Sequence, residues 1–357
     1  MFNLFKTKIN KTWGLDITDR HLRAVEIEGN EKNWQIKRVG RVDLAPGVVE
    51  NGIIKQPENL KDYVTQLKKS TFPSAIHSHL VNVNLAEENT FMRTIQMPNL
   101  SPEEMEEAIQ WEAESNIPLS IDKVYISFEE LPREKNNEKI PMLLAATPKT
   151  VIDKLFSALS EAHLEPIVIE PDSVALVRTL IQTDPTVLET PTLFVNLKEH
   201  YTQIVAFDSE VVKLSTTCEI ASQDFDKAIE TKFKIGPTEA EKIRKEVSWN
   251  EQNDLAKQLQ EVLSSPLLAL KKEINDALSF YQSNFDKEIK KIILIGEKKN
   301  KWPGFDVFLS NQLGLSISWQ KDWDKKKWPN KCPFASEETA EFNISIGLAL
   351  RRLDNIF

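Results

Sequence analysis

The sequence predicts an α/β fold built from two similar halves. Three observations carry this. A meander of three strands opens at about residue 12, and a second opens at about residue 191. Each meander is followed by a succession of helical and strand patterns, so the order of elements repeats. The chain has 357 residues, enough for two or three modules with cores of their own.

Between Trp13 and Leu44, the period-two alternation of RAVEIEG and WQIKRVGRVDL predicts three strands, with a turn at Gly29-Asn30. From Pro57 to Lys69, Leu60, Val64 and Leu67 share one helical face. HLVNVNL (79–85) and TFMRTIQM (90–97) read as strands, the second stopped by Pro98. In LSPEEMEEAIQWEAESNIP, Ser101 caps a helix, Pro102 takes its first position and Glu104 completes a capping box. That helix should end near Ser115, because Ile117 precedes Pro118. Strands VYISFEEL and IPMLLAAT flank a polar turn at 133–139. A helix at 149–162, a buried strand PIVIE (166–170) and a helix from Asp172 follow.

The second series runs TLFVNL (192–197), YTQIVAF (201–207) and EVVKLST (210–216), then helices at about 222–234 and 238–247. The helical stretch 251–283 contains Pro266, which should start a new helix. KIILIG (291–296), a helix at 304–312, the strand GLSISW and a closing helix ETAEFNISIGLALRRL complete the pattern. Two halves that each open with hairpins point to an actin-like or hexokinase-like arrangement of ribonuclease-H-like duplicated halves. A doubly wound βαβ sheet does not open that way.

Composition narrows the function. Apolar content of 41% and charged content of 28% are those of a soluble globular protein. The net charge of −9 gives no bulk attraction to nucleic acid. No run approaches the ~18–20 apolar residues of a membrane span, and MFNLFKTKINK is no secretory signal. The two cysteines, Cys218 and Cys332, make neither a disulfide framework nor a metal cluster, so a reducing, cytoplasmic setting is expected. Metal binding is not expected either: His77 and His79 stand near a strand start without a third ligand nearby in sequence. Glycine is scarce, with ten in all and none between Gly52 and Gly236.

The stretch TWGLDITDRHLRAVEIEG poses the chemical question. Hairpins that hold a nucleotide phosphate place an Asp at the strand end and small residues in the turn, so that backbone N–H groups can approach the anion. Asp16 is in place, but Thr18 and Asp19 fill the turn. A β-branched Thr resists a left-handed backbone, and a second carboxylate beside Asp16 opposes a triphosphate unless Mg²⁺ offsets it. Two further stretches are charged. Glu103, Glu104, Glu106, Glu107, Glu112 and Glu114 crowd one helix, as a solvated face or as a surface for a basic partner. WQKDWDKKKWPNKCPF (319–334) mixes three Trp with five Lys. Basic residues with aromatics can bind single-stranded nucleic acid, but the two interleaved Asp and the acidic chain argue against that. The stretch reads as a solvated loop with Trp anchors, with contact to anionic lipid or a membrane-surface partner as the alternative.

Several stretches, in this order and spacing, resemble the type IV pilus assembly protein PilM family and, more distantly, the cell-division protein FtsA. They are GLDITDRHLRAVEIEG with LAPGVVENGIIKQPENL, IQMPNLSPEEMEEAIQWEAESNIPLSIDKVYISFEEL, LLAATPKTVIDKLFSALSEAHLEPIVIEPDSVAL, GPTEAEKIRKE, EINDALSFYQ and SIGLALR. The resemblance covers nearly the whole chain. It implies an actin-like fold with an insert subdomain at 85–165, a first half of 1–84, 166–190 and 338–357, and a second half of 191–337.

The resemblance also lays the family's nucleotide motifs on specific positions. The first hairpin falls on Asp16, Thr18 and Asp19, with Arg23 where the family has Lys. The second falls on Asn196-Leu197-Lys198-Glu199-His200-Tyr201, a Gly-Gly pair on Ala221-Ser222, and the adenosine-side glycines on Gly296-Glu297-Lys298. These departures imply a vestigial site at Asp16, Thr18, Asp19, Asn196, Lys198 and Gly296. No cofactor is then expected, ATP with Mg²⁺ being the one in question, and ATP turnover is not expected. By resemblance the chain is a cytoplasmic scaffold at the inner face of the membrane. It would receive the cytosolic N-terminal peptide of a PilN-like bitopic membrane protein, and the pilus assembly ATPase is a further expected partner. The groove is placed at Phe91, Arg93, Ile95, Trp111 and Ile117. The competing class is an active actin-like ATPase or a filament-forming membrane tether.

Overall fold

The computed structural model describes residues 12–30, 33–117, 119–131, 139–249, 253–296, 301–334 and 339–351. The segment 1–11, most of the turn 133–139, Glu297, Lys298 and the residues after Arg351 lie outside the described residues. The chain divides into two compact units, Met1–Gln182 with Trp323–Phe357, and Thr183–Asp322.

Unit 1 opens with the expected meander: β1 (Trp13–Ile17), β2 (His21–Asn30) and β3 (Asn33–Asp43). A short hairpin follows, β4 (Val49–Glu50) and β5 (Ile53–Ile54), then helix α1 (Pro57–Ser70) and strand β6 (Leu80–Leu85). Next come β7 (Phe91–Met97), α2 (Pro102–Asn116), β8 (Val124–Glu130), β9 (Ile140–Pro148), α3 (Lys149–Glu161), β10 (Glu165–Pro171) and α4 (Asp172–Thr183). The main sheet has the order β10-β6-β1-β2-β3. β1 and β6 run parallel, as do β6 and β10, while β1-β2-β3 is antiparallel.

Unit 2 contains β11 (Thr192–Leu197), β12 (Thr202–Asp208) and β13 (Val211–Cys218), then α5 (Ser222–Phe233), α6 (Pro237–Glu246), α7 (Asp254–Val262) and α8 (Ser264–Phe285). β14 (Lys291–Ile295), α9 (Phe305–Leu313) and β15 (Ser316–Trp319) complete it. Its strands have the order β15-β14-β11-β12-β13. β14 is parallel to β11 and β15 to β14, so strand order and directions repeat those of unit 1. The chain returns to unit 1 for α10 (Asn343–Leu350).

Each sheet is covered by apolar faces. Leu60, Val64 and Leu67 of α1 pack with Leu155, Ala158 and Leu159 of α3 over Trp13, Leu15 and Val83. Burying each such aliphatic side chain contributes about 1.5–3 kcal/mol. On α10, Ile346, Ala349 and Leu350 pack with Val25, Ile27 and Trp34. In unit 2, Leu267, Leu270, Ile274, Ala277 and Tyr281 give α8 its buried face against the core.

Three expectations are corrected. The helix at 149–162 was assigned to the insert, yet α3 joins the helical layer of the main sheet because Leu155 and Leu159 need that core. The insert's own core is instead formed by β7, α2, β8 and β9. Residues 323–337 were assigned to the second half. Trp323, Trp328 and Cys332 pack in unit 1, because Trp34 and Phe342 supply the aromatic partners there. PIVIE is half-buried, not buried, because β10 is the outer strand of its sheet.

Candidate functional site

The first hairpin is filled from within. Register sets Asp16 opposite Arg23, and both are buried, at 2% and 4% exposure. Arg23 Nη1 donates to Asp16 Oδ2 at 3.2 Å. Its second terminal nitrogen, Nη2, lies 3.7 Å from Glu341 Oε2, which accepts a hydrogen bond from Arg41 Nη1 at 2.7 Å. Thr18 closes the turn: its N–H donates to the His21 carbonyl at 3.0 Å, and its hydroxyl accepts the His21 N–H at 3.0 Å. Asp19 turns away from Asp16. Its carboxylate accepts the N–H groups of Asn51 at 2.8 Å and Gly52 at 2.9 Å. These two residues form the β4–β5 turn, with φ of 50° and 68°, the pair of left-handed conformations that Asn-Gly supplies at low strain.

Behind the hairpin lie polar residues that sequence reasoning missed. Asn84, at the end of β6, accepts the Ile17 N–H at 2.7 Å and donates to the Ile17 carbonyl at 3.1 Å and to Asp172 Oδ1 at 2.9 Å. Glu87 accepts the Ser173 N–H and hydroxyl, each at 3.1 Å, and so caps the start of α4. The available signal was polar residues at inward strand positions in VNVNL.

The second hairpin is closed differently. Asn196 Nδ2 donates to Gln203 Oε1 at 3.3 Å across the β11–β12 ladder. Lys198 Nζ donates to the Tyr201 hydroxyl at 2.6 Å and stands 4.7 Å from the ring centre. The carbonyls of Lys198 and Glu199 accept the N–H groups of Ser222 and Gln223, at 3.1 and 3.3 Å. Those are first-turn donors of α5, the groups a helix start offers to a phosphate. Gly296 is buried just after β14.

A triphosphate needs backbone N–H groups aimed at it and space beside them. The residues of these two turns do not fit it. The Asp16 carboxylate faces a guanidinium, the Asp19 carboxylate a neighbouring turn, and the first-turn donors of α5 already have carbonyl partners. Among the described residues no group of three or more His, Cys, Asp or Glu could hold a metal ion.

The residues placed in a partner groove separate. Ile95 and Ile117 are buried at 7% and 6% and belong to the insert's core with Ile109, Val124 and Met142. Both side chains are taken up by that core, Ile95 from the inward face of β7. Phe91 is half-buried against the same core, and Arg93 is half-buried on β7. Trp111 is 72% exposed on α2. Exposed aromatic side chains also lie on β8, the outer strand of the run β7-β9-β8. Tyr125 and Phe128 are 48% and 44% exposed there, and Phe156 on α3 is 48% exposed. The Tyr125 hydroxyl donates to Asp153 Oδ1 at 3.1 Å, one helical turn before Phe156, and that bond holds the phenol above its ordinary pKa.

Residues 14–353 match the family model described as type IV pilus assembly protein PilM. The chain belongs to the PilM family. The solved PilM-PilN type IV pilus biogenesis complex is similar to it at 22% identity and a TM-score of 0.76, covering 96% of this chain and 99% of that one. The ethanolamine utilization protein EutJ from Carboxydothermus hydrogenoformans is similar at 12% identity and a TM-score of 0.52, covering 95% and 89%. MreB 5 of Spiroplasma citri bound to AMPPNP is similar at 12% identity and a TM-score of 0.50, covering 86% and 90%. The actin-like ATPase fold expected from the duplicated meanders is therefore the fold of this PilM-family chain. No helix among its described residues is long and apolar enough to cross a membrane.

Proposed function

We propose that this PilM-family protein is a cytoplasmic binding scaffold of the inner-membrane pilus platform, with little or no ATP turnover. The observation that carries the proposal is the exposed edge of β8. An outer strand with Tyr125 on the face toward Asp153 of α3, and Phe128 on the opposite face, suits an extended peptide that adds to the sheet and seats side chains on either side of it. The partner is the cytosolic N-terminal segment of a PilN-like membrane protein. The likeness to the PilM-PilN complex supports this choice. The pilus assembly ATPase is the second partner, reached through the same scaffold. The pairing of Asp16 with Arg23 and of Asp19 with the Asn51-Gly52 turn supports a hairpin that keeps its descent but not its ligand.

Calorimetric titration tests both parts. The peptide from the PilN-like partner should bind, and Tyr125→Ala or Phe156→Ala should weaken it about tenfold or more, about 1.4 kcal/mol. Mg-ATP at millimolar concentration should give no heat with the same protein. Micromolar ATP binding that vanishes in Asp16→Ala would overturn the vestigial assignment.

A further inference from the structure

Residues 323–334 form a strap fastened to unit 1 by its buried aromatic side chains. Trp323 and Trp328 are each 5% exposed. Trp323 meets Trp34 edge-on at 5.7 Å, Trp328 meets Phe342 at 5.8 Å, and Trp323 Nε1 donates to Asn343 Oδ1 at 3.1 Å. Lys327 folds inward, donating to the Trp34 carbonyl at 2.9 Å and standing 4.4 Å from its ring centre. Asp324 accepts the Lys326 N–H at 2.9 Å. What remains outward carries three lysines against one acid, the exposed Asp324. Lys325, Lys326 and Lys331 are exposed, and none pairs with a described acid. The stretch KKKWPNK contains no acidic residue. Lys331 holds φ at 60° in a turn closed by the Cys332 N–H on the Pro329 carbonyl, where Gly or Asn is the unstrained choice.

We propose that this strap docks on anionic lipid headgroups and orients the protein against the membrane. The proposal rests on the scaffold reading for what brings the protein there. Charge complementarity identifies the occupant: three exposed lysines against the single exposed Asp324 give the strap a net positive face, in a chain whose net charge is −9. At physiological salt the rest of that charge is screened beyond about 8 Å, so the local sign decides the contact. Single-stranded nucleic acid is the poorer occupant, because it needs aromatic faces for stacking and Trp323 and Trp328 are buried. Each lysine brought to such a surface raises partitioning about fivefold, so three raise it about a hundredfold. That is weak for a free protein but sufficient to orient one already held by a partner.

Flotation of the purified full chain on millimolar lipid tests this. Phosphatidylcholine vesicles are compared with vesicles containing about one third phosphatidylglycerol. Binding should appear only on the anionic vesicles, fade at high salt, and fall at least tenfold in Lys325→Glu/Lys326→Glu/Lys331→Glu. The PilN-like peptide should bind that variant as it binds the wild type, so loss of the peptide contact and loss of the lipid contact are told apart. A Lys→Gln triple at the same positions should reproduce the loss if the Glu variant is unstable. Equal flotation of wild type and triple variant overturns the proposal. So does binding that disappears on deleting residues 1–11 while the triple variant keeps it, or tighter binding to a single-stranded oligonucleotide than to the vesicles.

Discussion

Arg23 decides what the first turn can do, because it faces Asp16 across the hairpin. Asp16→Ala takes away the carboxylate that Arg23 Nη1 donates to and leaves the buried guanidinium with Glu341 Oε2 at 3.7 Å. The expected cost is near the low end of the ~3–5 kcal/mol for breaking a buried pair, seen as a lower urea midpoint. Asp19→Ala strips two N–H groups of their acceptor and should cost about 1–2 kcal/mol by the same measurement. In unit 2, Asp184 accepts from Lys321 at 2.8 Å and Lys291 at 3.2 Å. Burial pushes its carboxyl up, but the hydrogen bonds from Lys321, Thr186 and Lys291 outweigh it and hold it at about 2. Its folded pKa lies below the ordinary 3.8, so its contribution is complete above 3.8 and is lost as pH falls toward 2. Asp184→Asn should flatten that part of the acid unfolding curve. At this scale Asp16 was legible from its place at the strand end, and the four-residue turn sets Arg23 opposite it. The acceptor role of Asp19 was not legible, because its donors lie 32 and 33 residues away.

Elements were legible where their ends carry chemistry. The capping box of α2 forms as the sequence requires: Glu104 N–H donates to Ser101 Oγ at 3.3 Å, and Ser101 N–H donates to Glu104 Oε2 at 3.0 Å. Ser101→Ala should cost about 1 kcal/mol, with faster amide exchange confined to the first turn of α2. Pro266 falls in the first turn of α8, where its missing N–H would have no intrahelical partner. Other elements hid behind local pattern. The β4–β5 hairpin was overlooked although Asn51-Gly52 is a strong turn signal, because its strands have only two residues each. β7 looked like the exposed strand and β8 like an ordinary one. Alternation shows which residues share a face, but only the sheet order puts β8 outermost and leaves Tyr125 and Phe128 in solvent.

At the scale of the molecule the duplication was legible, because both meanders and the strands after them keep their own periodicity. The unit boundaries were not, because aromatic residues in the strap choose partners far away in sequence. The packing of α10 is equally non-local. A Cβ on Gly14 would stand 2.1 Å from the Ser345 carbonyl oxygen, and one on Gly347 would stand 1.9 Å from that of Ala175. Both obstacles are backbone, so Gly347→Ala should destabilise by about 1–3 kcal/mol or more, read as a lowered melting temperature. This tight seat has a consequence for synthesis. Thr183–Asp322 is an unbroken segment that a ribosome releases as a complete folding unit. β1 and β2, made first, must wait for residues 343–350 before the side facing α10 is covered. The nascent chain therefore finishes its middle before its beginning. During that interval Val25, Ile27 and Trp34 are the surface a chaperone would meet.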